Sequence, residues 1–177
     1  LYHLKADILL KNNQDLVTMG IAKELYQKAI KYSDLPGPIM RKLLFIYIDL
    51  GENQKAIEYS NQLMDKFPDD PDLYYNVGVL FQRLATQIYD DNLNIFNNTN
   101  KESNSEDILN LYKSYKKARE YSYNSRDYFL QASDLEMDEN SSTIEAAKEM
   151  KKIMKNIDDI FIPSIRKTAR ELDLILE

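Results

Sequence analysis

Cysteine is absent from this chain of 177 residues, which removes structural disulfides, thiolate zinc sites and cysteine nucleophiles. Glycine and proline are scarce, at 4 and 5 residues, too few to furnish the many tight turns of an all-β chain. Histidine occurs once, as His3, with no second imidazole or thiol to complete a metal pair or a catalytic dyad. The glycines Gly20, Gly37, Gly51 and Gly78 are scattered, so no glycine-rich loop cradles phosphates, and no serine stands in a nucleophile-elbow pattern. No apolar run approaches the roughly 20 residues that a membrane-spanning helix needs. A positive footprint is missing too: the formal charge is −6, and the segment from Ser142 to Glu177 is close to neutral. Nucleic acid is therefore not an expected partner. No catalytic, cofactor or metal residue is expected, and the chain is not expected to be an enzyme. Freedom from cysteine suits both the cytoplasm and a bacterial periplasm. The chain opens at Leu1, already inside an amphipathic pattern, and reads as a fragment of a longer protein, so a leader could precede it.

What is present is a repeat. A shift of 34 residues aligns Ala6 with Met40 and Tyr74, Leu9 with Leu43 and Val77, Ala22 with Ala56, Ala29 with Leu63, Tyr47 with Phe81, and Asp34 with Pro68. Within the unit Gly37–Asp70, Met40, Leu43, Leu44 and Tyr47 form one apolar helix face at i, i+3, i+4 and i+7. Gly51-Glu52 suits a helix C-cap and turn. Ala56, Tyr59 and Leu63 make a second face. Pro68 ends that helix, Asp70 can cap the next one, and Pro71 fits its first position. The acidic cluster Asp69, Asp70 and Asp72 lacks the spacing and glycine of an EF-hand loop and reads as an inter-helix turn.

The period fails after Phe81, because Asp90-Asp91-Asn92 stands where a second core face is due. That face comes later, as Tyr115, Ala118, Tyr121, Ser125, Tyr128, Phe129 and Ala132, which implies an insertion of about 35 residues in the third unit. The first helix of that unit is expected to run on through Leu84 and Ile88 toward Ile95. The polar stretch Asn97–Ser105 should be the mobile tip of a long protruding hairpin. Ser142-Thr143-Ile144-Glu145 reads as a capping box before a face of Ile144, Ala147, Met150, Ile153, Met154 and Ile157. Pro163 should break that helix, leaving Ser164–Leu176 as a separate last one with Ile165, Ala169, Leu172 and Ile175 or Leu176 on its stripe.

A 34-residue helix–turn–helix unit with small residues at close-packing positions resembles the tetratricopeptide repeat (TPR) family. Leu43, Tyr47, Gly51, Ala56 and Pro68 match its pattern in the second unit, and Gly78 restores its glycine in the third. Leu44 and Leu63 depart from it, since the family has small residues there. In the first unit Ala22, Tyr26 and Ala29 fit, but Asn13 replaces an aromatic. The clear resemblance covers about the first half of the chain, and the extended hairpin resembles that of some bacterial TPR proteins. It implies an all-α, TPR-like α-solenoid of antiparallel helix pairs: residues 3–36, 37–70 and 71–136, with 142–177 as a divergent terminal pair or cap.

It also implies a role: a non-catalytic protein-interaction module that holds a peptide or protein segment in its concave groove. Carried over residue by residue, the groove positions are Leu4, Asp7 and Lys11 in the first unit. The second contributes Arg41, Phe45 and Ile48, and the third Tyr75, Val79, Gln82 and Arg83. Aromatics beside arginine are the composition of binding anchors. The lysine and asparagine pattern by which some TPR domains clamp a chaperone's C-terminal carboxylate is not met, the corresponding residues being Asp7, Lys11, Lys42, Asp72 and Asn76. The alternatives are a structural or self-assembling array and a regulatory domain of a larger exported protein. Oligomeric state and partner identity stay open at this point.

Overall fold

A computed structural model describes residues 1–34, 36–100, 102–136 and 142–176. All regular structure among them is helical: α1 Tyr2–Asn12, α2 Leu16–Lys31, α3 Gly37–Asp49, α4 Asn53–Lys66, α5 Pro71–Asn98, α6 Ser105–Glu136, α7 Ser142–Asn156 and α8 Ile162–Glu171, with a π-helical turn Ile157–Phe161 between the last two. None of the helices, over the described residues, is long and apolar enough to cross a membrane. The chain divides into two compact units, Leu1–Asn76 and Val77–Glu177, so α5 begins in the first and continues in the second. Lys101, in the hairpin tip, and Glu177 lie outside the described residues.

In the first unit each helix packs on the next, α1 on α2, α2 on α3 and α3 on α4. The buried faces are those of the 34-residue pattern: Ala6, Ala22, Tyr26, Leu43, Leu44, Ala56 and Leu63 are all essentially inaccessible. Turn chemistry sets the boundaries. Asn13 leaves the helix in extended conformation, its amide nitrogen donates to Asp15 Oδ2, and Asp15 Oδ1 accepts the Thr18 amide at 2.7 Å to cap α2. An aromatic at position 13 could not do this, which is why α1 stops a turn early. Gly51 takes φ +69°, its amide donates to Ile48 and that of Glu52 to Tyr47, the paired bonds that close a helix through a left-handed residue. Asp70 Oδ1 accepts the Leu73 amide at the start of α5. Gly37 leaves room for the Phe67 ring, whose Cζ would stand 3.1 Å from an added Cβ.

In the second unit α5 and α6 run antiparallel. Phe81 packs on Tyr121 and Tyr128, while Tyr89 and Phe96 pack on Tyr115 nearer the tip. Gly78 meets the Phe129 ring, and Ser125 Oγ donates to the Gly78 carbonyl at 2.8 Å. The tip is tied by its own side chains: Asn100 Oδ1 accepts the Glu102 amide and Ser103 Oγ that of Asn100.

The C-terminal segment differs from its expectation. Pro163 does not separate two helices. Asn156, Phe161 and Ile162 all keep right-handed helical dihedrals, and the Ile162 amide reaches back five residues to Ile157. A proline lacks an N–H and its ring crowds the carbonyl four residues earlier; here it falls in the first turn of α8, just after the wider π turn. The segment is therefore one helical run, Ser142 to Glu171, not an antiparallel pair. It lies along α6, with Arg119 Nε donating to Asp158 at 2.6 Å and Arg166 Nη2 to the Tyr112 hydroxyl at 3.0 Å. The long hairpin is consequently backed by a third helix. α7 begins at Ser142, one residue earlier than a Ser142 cap would place it; Ser141 lies outside the described residues.

Ile108, Leu111, Tyr115 and Ala118 of α6 join Ile157, Phe161, Ile165 and Ala169 in one core, with Tyr89, Leu93 and Phe96 of α5 against it. The Tyr115 hydroxyl is buried there without a hydrogen-bond partner, and burial pushes its phenol far above the ordinary tyrosine range. A buried unpaired hydroxyl destabilises. Tyr115→Phe should accordingly raise stability by about 1 kcal/mol, measured as a higher urea midpoint; a lower midpoint would show that the hydroxyl is satisfied.

Candidate functional site

Of the residues that the TPR resemblance points to, Arg41 and Phe45 stand together. α3 presents Pro38, Arg41, Lys42 and Phe45 to a concavity of about 310 Å³, whose other side is Asp72 and Asn76 at the start of α5. Phe45 is 38% exposed, as is Tyr75 on α5; Tyr75 lies three residues from Asp72, on the same side of that helix. Lys42 and Phe45 also border a second hollow of about 200 Å³, reaching Leu10, Gln14 and Met19. Phe45 thus stands as a ridge between two depressions.

Both basic residues of this face are already engaged. Lys42 Nζ sits 2.8 Å from both oxygens of Asp7, and the Tyr26 hydroxyl donates to Asp7 Oδ1 at 2.6 Å. Burial alone would raise the Asp7 carboxyl, but the bonds from Lys42 and Tyr26 and the lysine charge hold it below its ordinary value. Burial and the Asp7 bond together push the Tyr26 phenol up. Arg41 is paired with Asp70, the cap of α5. Elsewhere in the unit Glu52 takes Lys23 and Lys55, and their hydrogen bonds lower its carboxyl. Lys42 is thus committed to Asp7.

The remaining groove positions are distributed differently. Ile48 is only 7% exposed and belongs to the core of α3. Val79, in the second unit, is half-buried against Phe129, Ala147 and Met150, under α6 and α7. Gln82 is half-buried and its carbonyl accepts the Thr86 hydroxyl, whereas Arg83 is exposed. In the first unit Leu4 and Lys11 are exposed and Asp7 is the ion-pair carboxylate described above. Lys42, Asp72 and Asn76, which the sequence offered only as positions of the unmet clamp pattern, complete the concavity with Pro38, which motif transfer passed over.

This is an all-α protein of packed helical hairpins with an aromatic-bearing face. No protein-family profile and no solved structure matches it. A stretch of 65 residues is 31% identical to the photosystem I assembly protein Ycf3 of Parasynechococcus marenigrum (strain WH8102). The match covers 35% of this chain and spans 38% of that protein's length.

Proposed function

We propose that the chain is a TPR-like, non-catalytic interaction module that holds a peptide or protein segment against the face carrying Phe45 and Tyr75. The observation that supports this most directly is the concavity beside Phe45, open to solvent and bordered by polar side chains. A ring left one-third exposed beside such a hollow gives a partner apolar area to bury, and Asp72 and Asn76 offer hydrogen-bond acceptors and donors to a peptide backbone. Similarity to a protein whose name describes assembly accords with a partner-holding role. Arg41 contributes mainly by fixing the start of α5 through Asp70.

The test is a photo-crosslinking scan of the full chain in its native extract, with a photoreactive side chain at Phe45, at Tyr75 or at exposed Glu58 on α4. A partner crosslinked from positions 45 and 75 but not 58 is the expected result. Once isolated, that partner should bind Phe45→Ala and Tyr75→Ala about thirtyfold more weakly, a loss of about 2 kcal/mol for each anchor. Unchanged affinity in helically intact variants would overturn the reading.

Self-assembly remains a second reading because apolar residues stand open elsewhere on the first unit: Leu4 at 54% and Ile8 at 60% on α1, Val17 at 73% and Ile21 at 48% on α2. A solution mass that doubles with concentration, and returns to that of one chain in an Ile8→Glu variant, would favour it.

A further inference from the structure

The two depressions that Phe45 separates differ in chemistry. The one toward α5 is edged by Asp72 and Asn76. The other, toward α1 and α2, has a volume of about 200 Å³. Tyr26 and Ile46, at 1% and 4% exposure, form its floor. Leu10 and Met19, both half-buried, stand around it with Phe45. The polar groups that reach this lining already have work. The Tyr26 hydroxyl donates to Asp7, and the Lys42 ammonium is paired with the same carboxylate. Gln14 and Asp49 are exposed and stand at the mouth. The hollow is thus apolar inside and polar at its entrance, and it lies wholly within the first unit.

From this lining we infer that the hollow is an anchor pocket for one large apolar side chain of the held segment, phenylalanine in preference to an aliphatic one. The inference rests on the proposed role of the Phe45 face and names what that face selects. Size decides the class of guest: about 200 Å³ falls below the roughly 300–1,000 Å³ of a small-molecule site and suits a single side chain. A polar side chain would give up water for groups that Asp7 already engages. The Tyr26 and Phe45 rings favour an aromatic guest, because aromatic rings pair well edge-to-face or offset. Met19 can adjust to its outline, since an unbranched thioether fills irregular gaps. A segment crossing Phe45 would then meet polar groups on one side of the ring and place its anchor on the other.

The test is a titration of the isotopically labelled full chain with N-acetyl-phenylalaninamide, followed by amide chemical shifts. Saturable shifts centred on Leu10, Met19 and Ile46 are expected, with a dissociation constant on the order of 1 mM for so small a guest. N-acetyl-alaninamide should bind at least about tenfold more weakly, because it leaves most of the apolar lining uncovered. Met19→Gln keeps the length of the side chain but puts an amide in the wall, and should weaken the phenylalanine probe about fivefold. If that variant fails to fold, Leu10→Gln supplies the comparison. The titration needs no partner, so it fails separately from the crosslinking scan. Absence of a crosslink from positions 45 and 75 counts against the face. Shifts that do not saturate, shifts gathered around Asp72 and Asn76, equal binding of the alanine probe, or equal binding by the glutamine variant would overturn the pocket. The same shifts on raising protein concentration alone would assign the hollow to a second copy of the chain and overturn it too.

Discussion

Replacing Gly78 by valine should lower stability by about 3 kcal/mol, seen as a lower urea midpoint with an unchanged slope. A Cβ at this position would lie 2.7 Å from Phe129 Cδ1 and 2.8 Å from Cε1, closer than carbon atoms approach. The ring has nowhere to go, because Phe129 is fully buried with Ala147 and Met150 packed against it. Nor can the helix back away freely, since Ser125 Oγ holds the Gly78 carbonyl. Gly78→Ala separates two opposed effects: alanine gains about 1 kcal/mol of helix propensity over glycine, and the clash should outweigh it. Combining Gly78→Val with Phe129→Ala should be clearly less destabilising than the sum of the single changes. A stabilised Gly78→Ala would show that the ring yields and that this contact is loose.

Phe161→Ala should be as damaging, at about 3–5 kcal/mol for a buried phenylalanine. Its ring stacks on Tyr115 at 4.5 Å and packs on Phe96 at 4.5 Å and Tyr89 at 5.1 Å. It is thus the one side chain in this aromatic group that the C-terminal helix supplies to both helices of the hairpin. Amide hydrogen exchange should show lost protection from Ile153 to Ala169 first. A loss under about 1 kcal/mol would mean that the C-terminal run is held by its aliphatic contacts alone.

Much of this architecture was legible in the residues. The 34-residue offset puts helix starts near His3, Gly37 and Pro71, and α1, α3 and α5 begin at Tyr2, Gly37 and Pro71. Gly51 and Asp70 announced their caps through chemistry that few other residues perform. The candidate site was less legible. Ile48 falls on a transferred groove position, yet α3 buries Ile39, Ile46 and Ile48 besides its main face. A helix flanked on both sides has an apolar arc wider than one stripe, and those off-face isoleucines were the signal. Val79 was misplaced for a different reason: its burial depends on α7, nearly seventy residues later in the chain, and no local pattern reports that. Pro163 misled because a proline in a helical stretch normally ends it, and a π turn leaves no residue signature of its own.

That π turn has a consequence for how the chain tolerates changes in length. Ile157 and Ile162 are both buried, although five residues of α-helix would point them about 140° apart. The wider turn absorbs one surplus residue and keeps the two halves of the run in phase. Deleting one of Asp158, Asp159 or Ile160 would remove that surplus and let the run wind as uniform α-helix, with the flanking isoleucines four residues and about 40° apart. Ile165 and Ala169 would keep their places in the core. Adding a residue where the run is already α-helical would instead swing everything beyond it by about 100°, so this stretch tolerates shortening better than lengthening.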